Sequence, residues 1–295
     1  MCTHCGCSSS DEITVTNLQT GRHVHLHGDF DPDAPVQAHS HDHHHEHGHG
    51  HAHSHVHPHS HDHHHDHAHK LAPIAPRTIG LEEQLLAKNT RLAERNRGWL
   101  AGRGVVALNI MSSPGAGKTT LLERTLKDLG NTQAFHVIEG DQATLRDAER
   151  IRAAGGRAVQ VNTGTGCHLD AAMVAAALQQ LDPATGSLVL IENVGNLVCP
   201  ALFDLGERAR VVVASVTEGD DKPIKYPHMF RAADVILLNK IDLATHVEFD
   251  GAAFEKRARE LNPRIRFFRV SAKSGEGLGE WYQWLNSIQE TRQTQ

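Results

Sequence analysis

The sequence predicts an α/β fold: three layers, α/β/α, built on a mainly parallel seven-stranded sheet. Three observations carry this. Between residues 104 and 290, short runs rich in Val, Ile and Leu alternate with longer stretches of helical periodicity, the signature of strand–helix–strand crossovers. The run at 105–111 leads into Ser113-Pro114-Gly115-Ala116-Gly117-Lys118-Thr119-Thr120, and Leu121, Leu122, Thr125, Leu126 and Leu129 follow on one helical face. A strand, a Gly-rich turn and a helix in that order form a phosphate-binding loop, so the fold is of the P-loop NTPase kind. Later runs end in Asp141 and Glu192, at the strand ends where such sheets bind ligands.

The 295 residues divide sharply by composition: residues 1–76 hold 22 of the 26 His and little that makes a core. The expected organisation is a Cys motif at 1–10, a disordered His-rich linker and metal store at 11–76, and a nucleotide-binding domain with a leading helix at 77–295. The net charge of −6 with neutral His gives no field for a polyanion, so no nucleic-acid partner is expected. No apolar run reaches the roughly 18 residues of a membrane span, so no membrane insertion is expected. The N-terminus lacks the apolar core of a secretory signal, which makes a cytoplasmic location the expectation. Five Cys, an odd number, read as thiol metal ligands rather than a disulfide framework.

Residues 2–7 are C-T-H-C-G-C. The thiolates of Cys2, Cys5 and Cys7, with His4 or the α-amino group, can converge on one soft or borderline cation: Ni²⁺ in planar geometry or Zn²⁺ in tetrahedral geometry. Residues 39–69 contain 18 His in 31 positions, with Asp42, Glu46, Asp62 and Asp66 interspersed. Imidazoles at that density suit Ni, Cu or Zn and cannot bury a core, so a disordered buffer of weakly held ions is expected. The patch His23-Val24-His25-Leu26-His27 is read as a further ligand group or a short strand. Residues 78–100 repeat apolar positions at helical spacing, with Thr78 as the expected N-cap.

In the nucleotide-binding domain, Gly115 and Gly117 permit close approach of backbone N–H groups to phosphate. Ala116 and Thr120 belong to the same loop. Lys118 adds a mobile cation and Thr119 a hydroxyl for Mg²⁺. Ser112 stands where the generic loop has its first Gly. Asp141, after the strand at 133–139, is read as a Mg²⁺ ligand, a water-orienting group or the N-cap of a helix at 142–154. Cys167 and His168 follow the strand at 157–162. They are weighed as metal ligands or as part of a nucleophile arrangement that lacks a partner constellation. The strand at 187–192 ends in Glu192, and Gly195 follows as a candidate γ-phosphate sensor. Cys199 lies four residues further, which turns Cys167, His168 and Cys199 into a candidate metal site. Asn239-Lys240-Ile241-Asp242 is a guanine reader: Asp242 accepts from the base N1–H and N2 amine, Asn239 ties loops together, and the Lys240 stem packs along the base. Ser271, Ala272 and Lys273 supply backbone near guanine O6. Lys118, Thr119, Asp141 and Glu192 are the candidate catalytic set.

These motifs, with C-T-H-C-G-C, the His-rich stretch, T-G-x-x-C-H-L-D and E-N-V-G-N-L-V-C-P, resemble the hydrogenase nickel-incorporation GTPases, HypB-type, of the SIMIBI class. The resemblance covers nearly the whole chain. It implies a cytosolic GTPase that takes GTP/GDP with Mg²⁺ and delivers Ni²⁺ to the large subunit of [NiFe]-hydrogenase. It also implies a nucleotide-linked homodimer and a HypA-type metallochaperone partner. By motif match, Cys2, Cys5 and Cys7 are the tight nickel site. Cys167, His168 and Cys199 are the weaker Ni or Zn site near the dimer interface. Ser112 and Glu192 depart from the generic loop patterns but not from this family. A urease-type nickel GTPase fits the Cys pattern less well. A nickel storage or detoxification protein fits poorly with intact G-K-T and N-K-x-D.

Overall fold

The computed structural model describes residues 13–26, 76–141, 146–164 and 166–290. Cys2, Cys5, Cys7 and the His-rich stretch at 39–69 lie outside the described residues. In chain order the strands and helices are β1 (Ile13–Asn17), β2 (His23–Leu26), α1 (Pro76–Gly102), β3 (Val106–Ser112), α2 (Lys118–Leu129), β4 (Phe135–Asp141), α3 (Arg146–Ala153), β5 (Arg157–Asn162), α4 (Ala171–Leu181) and β6 (Leu188–Glu192). They continue with β7 (Ala209–Ser215), α5 (Lys222–Lys225), α6 (Pro227–Ala232), β8 (Val235–Asn239), α7 (Gly251–Leu261), β9 (Arg266–Arg269) and α8 (Leu278–Glu290).

The sheet order is β2-β1-β5-β4-β6-β3-β7-β8-β9. The seven strands from β5 to β9 in that order pair in parallel. Helices cover both faces, which is why β3, β6 and β8 are buried at every position and read as mainly apolar runs. One face packs on α2 and α8 through Leu108, Ile110, Leu121 and Trp281. The other packs on α4 and α1 through Ile138, Val159, Val174 and Leu178. Trp281 is core, and its indole N–H donates to Thr125 Oγ1 at 3.1 Å.

Among the described residues the sheet has nine strands, not seven, because residues 13–26 are not linker. They form a hairpin that pairs antiparallel with β5. Val15, Val24 and Leu26 point to the core at period two, while His23 and His25 take the other face. Asn17 shapes the turn: its Oδ1 accepts from the N–H groups of Gln19 and Thr20, and its Nδ2 donates to Gln180 O at 2.6 Å. The apolar alternation overrides the polar composition around it, and the pairing covers an edge that β5 would otherwise expose. One boundary also differs: α1 begins at Pro76, which places Thr78 inside the first turn. Residues 142–145, ahead of α3, lie outside the described residues.

Helix α1 is fastened to the domain by two buried amides. Asn89 accepts from Ala171 N at 2.9 Å and donates to Asp204 O at 2.8 Å. Asn96 donates to Ala171 O at 2.8 Å and to Leu205 O at 3.0 Å. Arg97 Nη2 adds hydrogen bonds to both oxygens of the Asp204 carboxylate. The helix thus holds together two loops distant in sequence, one just after His168 and one just after Cys199.

Replacing Asn96 by Ala removes two buried hydrogen bonds, to Ala171 O and Leu205 O, so Asn96→Ala is expected to cost about 1–3 kcal/mol. Thr90→Ala, which removes an exposed hydroxyl bonded to Leu86 O, is expected to stay within about 0.5 kcal/mol of the parent. Urea unfolding of the two variants measures both.

Candidate nucleotide site and metal centre

The phosphate loop joins β3 to α2. Gly115 and Gly117 have φ of 76° and 98°, a region L side chains rarely enter. A Cβ on Gly117 would also stand 2.6 Å from the Asn239 amide nitrogen. The loop is therefore locked to the strand that carries the N-K-x-D motif. Asn239 Nδ2 donates to Ala116 O at 3.0 Å, and the Lys240 ammonium donates to Gly115 O at 2.7 Å. Asn239 Oδ1 accepts from Ala272 N, and Asp242 accepts from the Ser271 hydroxyl at 2.6 Å. Lys273 follows, exposed. A further bond from the Ser113 hydroxyl to Glu218 closes the loop's other side.

Below the loop lies a cleft of about 550 Å³, within the usual size for a small-molecule site. Gly115, Gly117, Lys118, Thr119, Thr120, Asp141, Glu192, Gly195 and Lys240 line it. Lys118 is buried and donates to Ser112 Oγ at 2.9 Å. Ser112 thus gives the lysine a fixed hydroxyl acceptor at the position of the missing Gly. Burial pushes the Lys118 ammonium below its usual range, against the pull of Glu192. The Thr119 hydroxyl donates to Glu192 Oε1 at 2.7 Å.

Three acidic side chains crowd the same end of the sheet. Glu139 and Glu192 are register partners on neighbouring strands, so their side chains share a face. Burial pushes the Glu192 carboxyl up, against Lys118 and the Thr119 hydroxyl. Burial, with Glu192 beside it, pushes Glu139 up to about 9. One oxygen of each is buried without a hydrogen-bond partner among the described residues, an arrangement that costs free energy unless a proton or cation fills it. Asp141, the last residue of β4, sits at the rim. Hydroxyl and carboxylate oxygens of this kind fit a hard divalent cation such as Mg²⁺.

The second cluster stands where two loops leave the sheet. Cys167 and His168 precede α4, whose N-cap is Asp170, accepting from Met173 N at 2.8 Å. Cys199 begins a short 3₁₀ turn, Cys199–Ala201. The sulfurs of Cys167 and Cys199 are 3.1 Å apart, and Cys167 Sγ is 3.7 Å from His168 Nδ1. All three ligand atoms lie within 4.8 Å of one another. The His168 ring stacks on Phe203 at 3.9 Å, and burial pushes its imidazole below the ordinary range, toward the neutral form that binds metals. Two thiols and a neutral imidazole suit Zn²⁺ or Ni²⁺.

Comparison with known proteins identifies the family. The family described as "CobW/HypB/UreG, nucleotide-binding domain" matches residues 106–269. The hydrogenase maturation factor HypB of Azotobacter vinelandii is 56% identical over 216 residues, 73% of this chain and 71% of the relative. The chain belongs to the HypB family of hydrogenase maturation factors. The crystal structure of HypB from Archaeoglobus fulgidus matches with a TM-score of 0.65 at 46% identity, covering 69% of this chain and 99% of that one. HypB from Helicobacter pylori, solved in complex with nickel, matches with a TM-score of 0.65 at 38% identity, covering 69% and 96%. The likeness to a P-loop GTPase family, drawn from the motifs, therefore holds at the level of the whole domain.

Every candidate residue within the described part lies in one of two places: the cleft with the adjoining loops at 239–242 and 271–273, or the thiol–imidazole cluster. Sequence reasoning missed Glu139, Asp147 and Arg150, which also line the cleft. A Glu at an inward position of an apolar strand was the available signal for the first. Arg150 carries a guanidinium into the cleft, hydrogen-bonded to Thr120 Oγ1, Glu123 and Asp147. Phe203 against His168 had no signal, because stacking depends on where a loop returns.

The shift of Glu139 has a stability consequence. Between its ordinary value of 4.5 and about 9, the folded chain binds more protons than the unfolded one, so this residue's contribution falls as pH rises. Its full effect approaches about 1.4 kcal/mol per pH unit inside the window. Glu139→Gln is expected to flatten the loss of stability between pH 5 and pH 8.5, measured by urea titration at fixed salt.

Proposed function

We propose that this chain is a GTP-hydrolysing nickel metallochaperone that drives Ni²⁺ into the [NiFe]-hydrogenase large subunit. One observation carries the reading. Glu192 and Gly195 line the nucleotide cleft, and the same segment continues to Cys199, whose thiol faces Cys167 and His168. A change at the phosphate end of that segment changes the spacing of metal ligands at the other.

GTP would place its phosphates against the N–H groups of the loop and the Lys118 ammonium. Its guanine would meet the Asp242 carboxylate, held ready by Ser271, with Asn239 and Lys240 joining the base loop to the phosphate loop. Mg²⁺, when bound, neutralises charge between the phosphates, and Thr119, Asp141 and Glu192 are the residues that would hold it. Deprotonation of Cys167 and Cys199 on metal capture completes the internal site, with His168 as the neutral third donor. Zn²⁺ suits the same donors. Cys2, Cys5 and Cys7 form the tight nickel site in this reading, and the residues at 39–69 a reserve.

Val198 and Leu202 flank Cys199 and are 45% and 50% exposed. An apolar pair beside a metal site supports a homodimer whose interface adjoins that site, with nucleotide state setting its strength. A HypA-type metallochaperone and the hydrogenase large subunit are the proposed partners, in the cytoplasm.

Two measurements test the reading. Lys118→Ala is expected to lower GTP turnover by about 10²–10³-fold. Equal, negligible rates for both proteins would point to a nickel store instead. Deleting the gene is expected to abolish hydrogenase activity, restored at least in part by excess nickel, with urease assayed in parallel. Loss confined to urease would redirect the proposal to a urease-type role.

A further inference from the structure

We propose that Asn193 is the positioning residue through which the nucleotide cleft acts on the metal ligands. The inference rests on the nucleotide-coupled reading above and adds the atoms that do the coupling. Asn193 follows Glu192 directly and is 1% exposed. Its side-chain oxygen accepts from Leu169 N at 3.1 Å and from Val194 N at 3.0 Å. Leu169 is the residue after His168, and Val194 is the residue before Gly195. Its Nδ2 donates to Asn109 Oδ1 at 3.2 Å, inside β3, the strand that runs into the phosphate loop. Its own N–H donates to Ile110 O at 3.0 Å.

An amide is suited to this place. It accepts from two peptide N–H groups and donates to a third group at the same time. Neither a carboxylate nor a hydroxyl does all three without loss. Both bonded amides are buried, so separation from either leaves a polar group unpaired at a cost of about 1–3 kcal/mol. The side chain therefore moves with its partners rather than away from them.

The surroundings direct where motion goes. At Gly195 a Cβ would stand 3.2 Å from Pro114, so the segment after Asn193 lies directly on the phosphate loop. Further along, both ligand-bearing loops are pinned to α1, at Ala171 and at Asp204 and Leu205. A displacement that begins at Gly195 is thus confined to residues 193–199 and 167–169. Within that stretch, Asn193 links the switch segment to the peptide beside His168. Moving Asn193 moves His168 and Cys167 relative to Cys199.

The test uses the full-length chain with Cys2, Cys5 and Cys7 changed to Ser, so that thiolate-to-cobalt absorption reports the internal site alone. Co²⁺ affinity is measured with GDP and with a non-hydrolysable GTP analogue, each with Mg²⁺, for the Asn193 parent, Asn193→Ala and Asn193→Asp. The parent is expected to show an affinity ratio between the two nucleotides of about 5-fold or more, the usual range of coupling. Asn193→Ala is expected to bring that ratio within about twofold of unity while keeping one Co²⁺ per internal site. Asn193→Asp gives up the bond to Asn109 but keeps the acceptor oxygen for Leu169 N and Val194 N, the bonds that carry the link, and is expected to retain the ratio. An unchanged ratio in Asn193→Ala, or a lost ratio in Asn193→Asp, overturns the assignment and leaves the coupled reading intact. A parent with no ratio overturns both. If circular dichroism shows Asn193→Ala to be unfolded, Asn193→Ser, whose side chain is too short to keep the bond to Leu169 N, is read in its place: a collapsed ratio supports the link, and an unchanged one overturns it.

Discussion

The bond between the Thr119 hydroxyl and Glu192, 2.7 Å long and buried, joins the two halves of the molecule's working end. Thr119 is fixed by the helix that opens at the phosphate loop, and Glu192 by the last position of β6. Neither side chain is free to leave, because each is buried and the second oxygen of Glu192 already lacks a partner among the described residues. The parallel sheet exists to bring these strand ends together. The crowding of Glu139 beside Glu192 follows from the same register, and so does the proximity of the cleft to the loop that reaches Cys199.

Much of this was legible in the sequence because it depends on local pattern. Parallel strands covered on both faces read as apolar runs, and the seven parallel ones appear as expected. G-K-T and N-K-x-D each state a chemistry at fixed spacing, and the structure ties them to each other through Asn239 and Lys240. The Cys167/His168/Cys199 cluster was legible only by inference from position. Nothing in the spacing of 167, 168 and 199 demands contact, but both loops leave the same edge of the sheet.

What escaped was long-range. The hairpin at 13–26 hides in a region of linker-like composition: its second strand, His23–Leu26, is weighed as one from the sequence, but its first is not, and the alternation of Val15, Val24 and Leu26 gains meaning only once β5 offers an edge. Glu139 reads as one charged residue at a strand end until its register partner is known to be Glu192. Asn89, Asn96 and Asn193 are ordinary residues in helix or loop, and their roles arise from chain segments that return beside them. A polar side chain that links distant peptides leaves little trace in local periodicity.

The fastening of α1 also bears on how the chain is made. Its four amide bonds to Ala171, Asp204 and Leu205 connect residues 75 to 115 positions apart. During synthesis the helix leaves the ribosome long before its acceptors do, and contacts of such separation close late. The two thiols are therefore held at ligating distance only after residue 205 has been added and the helix has docked. Metal presented to a nascent chain meets separate cysteines, and the site as a unit belongs to the finished fold.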